Sequence, residues 1–547
     1  MTPTSEGGDE ISRPSTTCAS NWERTASSYQ GAKSATLVVM DMHSEDVEAV
    51  ESIVPGVLAA YNELRATNGM GIYTSNGAFY NHTLFARDAT MSAKFVSDFD
   101  HEVVKETIVA LGALQGVKHD ARTQEEFGRI HHEFRDFDLW KGRWNERLAL
   151  RFMGTFWGAR QKQIQTYYAA DTTANYIRLI NKFDHHIDRS FLDFKLKAGD
   201  GTTITVAESL TRAADWIVQQ LDADGRFLTT RSRWSLPYQT FQDSLTAYAW
   251  NDGHPAAFRR PHSFVEVQAY GADALEDVSK LLTGRSKSVG RYREAAHTMR
   301  QALLRDFWSD DDEYFCSVLS ERDGELRRLD VPNISAAWTL NASWWDELPQ
   351  YEREAKISSI VNRLFSDEFL TDVGLRTRSN FAHEPLGDSI DYHGAQTVWP
   401  MFNFMVIEGL RRHRMYELAE QLERRIVNGA NALGKYDEFF MVSKQGELYE
   451  PHKNRRLPKV RAQMIPERNI AFTIVPLLTI ARRTGQPAPR EPKPWHAKLE
   501  ASILARIPNV PLMKPAQACD ALQPRSVHVV RTSAIVRSVL HIRRGGV

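Results

Sequence analysis

The sequence predicts an all-α fold in which paired helices close into a ring, and three observations predict it. From about residue 84 to 482 the apolar period is helical, polar turns punctuate the stripes, and strand-like alternation is scarce. Tyr176, Leu179, Phe183 and Ile187 advance by threes and fours, as do Val206, Leu210, Ala213, Ile217 and Leu221, and Tyr292, Ala295, Met299, Leu303 and Phe307. Each set draws one apolar stripe down a helix. Asp222-Ala223-Asp224-Gly225, Asn251-Asp252-Gly253 and Arg322-Asp323-Gly324 separate the stripes with turn residues. No repeat of about 34 to 47 residues recurs by identity, which weighs against an open solenoid. A closed ring gives every helix two neighbours and leaves a mouth where loops converge.

Composition bounds the function. The 547 residues carry 68 Lys+Arg against 69 Asp+Glu, a formal charge of −1, which argues against a dedicated nucleic-acid binder. Apolar residues at 42% and charged residues at 25% are those of a globular chain with a sizeable core. No run of about eighteen apolar residues appears, so no membrane partner is expected. The start, Met1 to Glu6, has neither a basic region nor an apolar segment, and Cys18, Cys316 and Cys519 fit no zinc or disulfide spacing. A cytoplasmic setting is the expectation.

Residues 1–35, rich in Ser, Thr and Gly, read as a loose leader. The helical domain is expected over 36–485, after a β-like run at Thr36–Met40 and a first helix near 45–65. Pro487, Pro489, Pro492 and Pro494 mark a linker into an extension over 486–547. Beyond Asp520 that extension has no acid, and Arg525, Arg531, Arg537, Arg543 and Arg544 punctuate apolar residues. An irregular tail, dispensable for activity after Arg483, is preferred over a membrane-surface helix.

Acids, amides and aromatics recur at the ends of segments rather than in the stripes. They are Arg87-Asp88, Gly128 to Arg135 with Glu133, Asp171 after Tyr167-Tyr168, Gln242-Asp243-Ser244, Glu266-Val267-Gln268, Tyr392-His393 and Tyr436 to Phe440 with Glu438. Each has a bland reading: Asp171 and Asp243 as helix caps, Glu438 as a surface acid, Arg129 to Arg135 as an ion-paired helix face. The pairs His131-His132 and His185-His186 lack the spacing that aims two imidazoles at one metal, and no GxGxxG or P-loop is present, so neither metal nor cofactor is expected. Together the set supplies what a sugar site needs: acids for proton transfer, acceptors for vicinal hydroxyls, and aromatic faces.

In order along the chain, these strings resemble the α-glucosidase part of bacterial and archaeal glycogen-debranching-type proteins (amylo-α-1,6-glucosidases). That group lies within the (α/α)6-barrel glycosidases, which include trehalase and mannosylglycerate hydrolase. Thr83-Leu84-Phe85-Ala86-Arg87-Asp88 is similar to the F-G-R-D motif, and Gly128 to Arg135 to P-G-K-I-x-H-E-x-R. Tyr168-Ala169-Ala170-Asp171-Thr172-Thr173 resembles Y-G-S-x-D-A-T. Phe241-Gln242-Asp243-Ser244 stands for W-K-D-S and Val265 to Tyr270 for E-V-Q-x-Y. Gly374-Leu375-Arg376-Thr377, Tyr392-His393-Gly394 with Val398-Trp399-Pro400, and Tyr436-Asp437-Glu438-Phe439 complete the series, which covers about residues 70–482. The usual H-D-N after W-P is replaced by Met401-Phe402-Asn403, and the β-rich N-terminal domain of debranching proteins has no room here.

The resemblance implies an (α/α)6 toroid and an inverting hydrolysis of an α-glucosidic bond, with an oligosaccharide or small glycoside as substrate. Asp243 would be the general acid and Glu438 the general base, with Glu467 its rival. Arg87, Asp88, Glu133, Arg135, Asp171, Gln242, Gln268, Tyr392 and His393 would hold the sugar, and Trp399 would be a stacking wall. Glycogen-debranching amylo-α-1,6-glucosidase-like activity is the main expectation; the first alternative, which absence of the β-domain and of H-D-N favours, is hydrolysis of a small α-glucoside or mannoside such as a sugar-glycerate or disaccharide. A non-catalytic carbohydrate-binding barrel is the alternative of another class. Oligomeric state is not legible.

Overall fold

The apolar stripes become helices in the computed structural model, which describes residues 44–77, 80–136, 144, 148, 151–152, 163–184, 189–229, 235–257, 261–382, 391–448, 466–484 and 494–510. The leader, the β-like run at Thr36–Met40, His185-His186 and the arginine-rich end lie outside the described residues. Twelve helices are used below: α1 (Ser44–Leu64), α2 (Ala86–Val96), α3 (His101–Ala113), α4 (Thr172–Asp184), α5 (Val206–Gln219), α6 (Val265–Leu281), α7 (Val289–Ala302), α8 (Gln350–Leu364), α9 (Pro400–Arg412), α10 (Tyr416–Leu433), α11 (Ala471–Arg483) and α12 (Pro494–Leu504).

Local signals explain where several begin and what they bury. α5 starts at a capping box: the Thr205 hydroxyl accepts from the Glu208 amide, and the Glu208 carboxylate accepts from the Thr205 amide. Its stripe of Val206, Leu210, Ala213 and Ile217 is fully buried. The stripe that starts at Tyr292 outlasts α7, because the chain widens into a π-turn over Leu303–Phe307 that still buries Leu303 and Phe307.

Packing is pairwise and continuous. α2 packs against α4, α4 against α6, and α6 against the 3-10 segment Ile334–Asn341. That segment packs against α9, α9 against α11, and α11 against α2. α3, α5, α7, α8 and α10 lie against these elements, and α1 packs on α11.

Short strands sit just before several of these helices. β1 (Thr83–Phe85), β2 (Glu133–Asp136) and β3 (Gln163–Thr166) form one antiparallel sheet, with Phe85 opposite Glu133 and Thr83 opposite Arg135. β4 (His262–Phe264) pairs with β5 (Val318–Arg322), which pairs with β6 (Glu325–Arg328). β7 (Thr397–Val398) pairs with β8 (Phe440–Met441), Val398 opposite Phe440, and this ties the Tyr392 corner to the Glu438 corner. Among the described residues, no helix is long and apolar enough to cross a membrane.

Of the expected 486–547 extension, residues 494–510 are described, and the arginine-rich part read as an irregular tail lies outside the described residues. α12 packs against α8 and α10 and buries His496, Glu500 and Ile503. The N-cap of α10, Met415, offers no side-chain acceptor, and the Glu500 carboxylate supplies one by accepting from the Leu418 amide at 3.2 Å.

Candidate active site

Polar residues gather at the starts of α2, α4, α6 and α9. Arg87 and Asp88 lie in the first turn of α2, Asp171 precedes α4, Glu266 opens α6, and Trp399 precedes α9. Several helix N-termini therefore face one carboxylate-rich region, and their dipoles favour negative charge there. The Arg87 guanidinium grips Asp171 in a two-bond fork, Nε to Oδ2 at 2.6 Å and Nη2 to Oδ1 at 3.1 Å, and lies over the Phe241 ring at 4.8 Å. Asp171 is thus committed to Arg87 rather than spent as a simple cap. Alternation along β2 puts Glu133 and Arg135 on one face, where they hydrogen-bond each other. Arg135 lies 5.8 Å from the centre of the Tyr80 ring.

The proposed acid and base bear on the same place. Tyr80 and Tyr392 each lie within electrostatic reach of both Asp243 and Glu438. Asp243 is pushed up to about 6, first by burial, against the pull of Arg87, with Asp171 and Glu133 adding to the rise. Glu438 accepts from the Tyr392 hydroxyl at 2.6 Å and from the Glu467 amide at 3.3 Å. Those bonds favour its carboxylate, but burial outweighs them, and Glu467 and Asp88 add like charge, so it is raised to about 8. Asp88 is raised to about 7 by burial, with Arg87 and a Thr74 hydrogen bond opposing. Two open hollows of about 370 and 380 Å³ lie elsewhere on the surface, and none of these carboxylates lines either.

Other sequence-predicted residues turn out to be braces. Gln242 exchanges two amide hydrogen bonds with Asn333, each 2.7 Å, and is fully buried. Gln268 accepts from the Phe227 amide at 2.8 Å and donates to the Gly225 and Met299 carbonyls at 2.7 and 2.9 Å, which commits its amide to holding the turn after α5 and the end of α7. His393 Nδ1 meets the Ser244 hydroxyl at 2.9 Å and its ring stacks on Trp399 at 5.1 Å. Burial beside Arg378 and Arg87 keeps it neutral, so it steadies the residue next to Asp243.

Trp399 is 4% exposed, stacks on Phe402 and Phe439, and donates to the Tyr392 carbonyl at 3.2 Å, a wall of the core more than an open platform. The replaced Met401-Phe402-Asn403 segment also serves packing. Asn403 accepts from the Leu375 amide at 2.6 Å and donates to the Leu375 and Trp399 carbonyls.

The structure adds residues that motif reading missed or left as rivals. Tyr80 precedes the Arg87-Asp88 motif in sequence and carried no pattern of its own. Glu467 is joined to Glu438 through backbone as well, since the Glu438 amide donates to the Glu467 carbonyl at 2.8 Å. The Ser75 hydroxyl donates to Glu467 Oε1 at 3.4 Å. Asn333 and Ser244 have roles only their partners reveal.

Residues 204–456, which include both Asp243 and Glu438, match the family described as mannosylglycerate hydrolase MGH1-like glycoside hydrolase domain. The chain is a glycosidase. The GH63 mannosylglycerate hydrolase from Thermus thermophilus in complex with glucose is similar at a TM-score of 0.50 and 12% identity, over 78% of this chain and 99% of that one. The same enzyme in complex with Tris gives a TM-score of 0.51 at 11% identity, over 78% and 99%. An uncharacterized conserved protein from the same organism gives a TM-score of 0.51 at 11% identity, again over 78% and 99%. At such identities the likeness concerns the fold, which is predominantly helical in the glycosidase described here. No curated protein matches the chain.

Proposed function

We propose that this glycosidase hydrolyses the α-glycosidic bond of a small glucoside or mannoside, of the sugar-glycerate or disaccharide kind, with inversion at the anomeric carbon. Asp243 protonates the glycosidic oxygen as the bond breaks, and Glu438 takes a proton from the attacking water on the opposite face. The observation that carries this reading is that the Tyr392 hydroxyl donates to Glu438 at 2.6 Å while Asp243, remote in sequence, lies within electrostatic reach of the same Tyr392 and of Tyr80. Asp88, Glu133 and Arg135 hold sugar hydroxyls together with Arg87, which Asp171 fixes, while Gln242, Gln268, His393 and Trp399 act behind them.

The cycle of contacts from α2 through α4, α6, Ile334–Asn341, α9 and α11 back to α2 supports an (α/α)6 toroid with its mouth at the carboxylates. The match over 204–456 favours the small-glycoside side of the resemblance over glycogen debranching. The same reading takes 36–485 as the catalytic domain, with 494–510 docked on its outside.

Proton NMR of the product anomer, on a panel of glucosylglycerate, mannosylglycerate, trehalose, isomaltose and branched dextrin, tests the proposal. Release of the β-anomer from a small α-glycoside supports it. Release of the α-anomer overturns the inverting mechanism, and turnover confined to branched dextrin overturns the substrate class.

A further inference from the structure

The segment that carries Asp243 is held from several sides. The Tyr238 hydroxyl donates to the Ala256 carbonyl at 2.8 Å, and Arg129 donates to Gln239 Oε1 at 2.7 Å. Gln242 pairs with Asn333, and the Ser244 hydroxyl meets His393. Between them, Thr240 donates its hydroxyl to Glu266 Oε1. Most of these partners are neutral or already matched in charge. Glu266 differs: it is a carboxyl in the first turn of α6, 0% exposed, and its second oxygen, Oε2, is buried with no hydrogen-bond partner.

A buried ionised carboxylate with one bare oxygen costs several kcal/mol, whereas the neutral acid costs far less. Glu266 is raised to about 7 by burial first, with Asp171 adding like charge and Thr240 and Arg87 opposing. Tyr248, whose hydroxyl is also buried, lies against the same Thr240 and Glu266. The groups around Glu266 are thus Thr240 and Tyr248 from the acid-bearing segment, Asp171 from the start of α4 and Arg87 from α2.

We propose that Glu266 is a positioning residue for the glycosidase reaction: through the Thr240 hydroxyl, its carboxyl fixes the height at which the segment presents Asp243 to the glycosidic oxygen. This rests on the assignment of Asp243 as general acid and extends it to a residue that touches no substrate. Thr240 stands three residues before Asp243, so a shift of the Thr240 backbone is carried along the short connection to the acid. Gln at 266 keeps an oxygen for Thr240 and the shape of the neutral acid; Leu keeps the bulk and loses the acceptor. Thr240→Val removes the donor from the other side. Leaving-group protonation is the step at stake, so the defect is specific to substrates that need it. A glycosyl fluoride leaves as fluoride with little protonation, and its hydrolysis still requires the base and the sugar-binding residues.

The experiment compares kcat on an alkyl glycoside with kcat on the corresponding glycosyl fluoride, for the full-length protein and for Glu266→Leu, Glu266→Gln, Thr240→Val and Asp243→Asn. The ratio of the two rates is independent of how much of each preparation is folded. Glu266→Leu and Thr240→Val are expected to lose about 100-fold on the alkyl glycoside, the scale of an ångström-sized misplacement, and less than about threefold on the fluoride, with KM little changed. Glu266→Gln is expected to restore most of the loss. Equal losses on both substrates, or no loss on either, overturn the role of Glu266. An Asp243→Asn variant with an ordinary rate on the alkyl glycoside overturns the acid assignment itself, which separates the two failures.

Discussion

The two proposed catalytic carboxyls are held in opposite ways. Asp243 sits on a segment whose neighbouring side chains are tied to Asn333, Glu266, Arg129 and His393. Glu438 is held by its own oxygens, one on the Tyr392 hydroxyl and one on the Glu467 amide. A general acid must release its proton and regain it each cycle, so fixing the segment that carries it through its neighbours suits it. A base that must remain aimed at one water gains from donors placed on the carboxylate itself. The difference is that the proposed acid is held through the side chains of its sequence neighbours, whereas the proposed base is held by donors on its own carboxylate in addition to its backbone pairing with Glu467.

The largest effects come from removing the two groups. Asp243→Asn and Glu438→Gln should each lower kcat by about 10² to 10⁴ on a glycoside with a poor leaving group, while sugar binding measured by calorimetry persists. The comparison sharpens on a glycosyl fluoride, where Asp243→Asn should recover and Glu438→Gln should not. Recovery of both, or of neither, breaks the division of labour. If Glu467→Gln abolishes turnover and Glu438→Gln does not, the base is Glu467.

Next in size is the pH dependence. With the acid near 6 and the base near 8, activity rises below the first value as Glu438 begins to ionise and falls above the second as the competent Asp243 proton is lost. Between them the losses cancel, and about one molecule in a hundred has both groups in working form. The profile of kcat/KM should therefore be a bell with flanks near 6 and 8, and the flanks belong to the pair. Tyr392→Phe removes a donor that lowers the Glu438 value, so the alkaline flank should move up and the plateau drop. An alkaline flank that stays or moves down in that variant rules out the hydrogen bond as the control.

The sequence made the helical class legible because stripes such as Val206 to Ile217 are a direct record of which face is buried. It made Asp171, Asp243 and Glu438 candidates because acids beside aromatics at segment ends are costly unless used. It could not show that the Gln242 amide pairs with Asn333 or that the Gln268 amide reaches Gly225 and Met299, because a buried amide with protein partners looks in sequence like an amide reserved for a ligand. It missed Tyr80 because the relevance of that ring lies in what folds against it. The docked tail was illegible for a similar reason: a Pro-rich approach hides the fact that Glu500 completes the end of α10.

Buried acids with raised values also set the pH dependence of stability. Asp88, Glu266 and Glu438 hold their protons more tightly folded than unfolded. Their contribution is full below the ordinary carboxylate range and is lost as pH rises through about 7 to 8. Glu438→Gln should therefore melt a few degrees above the unchanged protein at pH 8.5, with little difference at pH 5, in thermal scans at both values. The reverse order would mean that Glu438 is stabilised as the anion.

The smallest expected effect concerns the contact behind the base. A Cβ on Gly77 would collide with the Glu467 carboxylate, and the Gly77 amide already donates to the Ser75 hydroxyl at 2.7 Å. Gly77→Ala should push Glu467 aside and, through the Glu467 amide, loosen one of the two bonds on Glu438. The other bond, from Tyr392, remains, so the loss in kcat should be modest, about tenfold. It should persist on a glycosyl fluoride, because it acts on the base. If Gly77→Ala spares the fluoride and harms only the alkyl glycoside, the disturbance has reached Asp243, and the two carboxyls are not positioned independently.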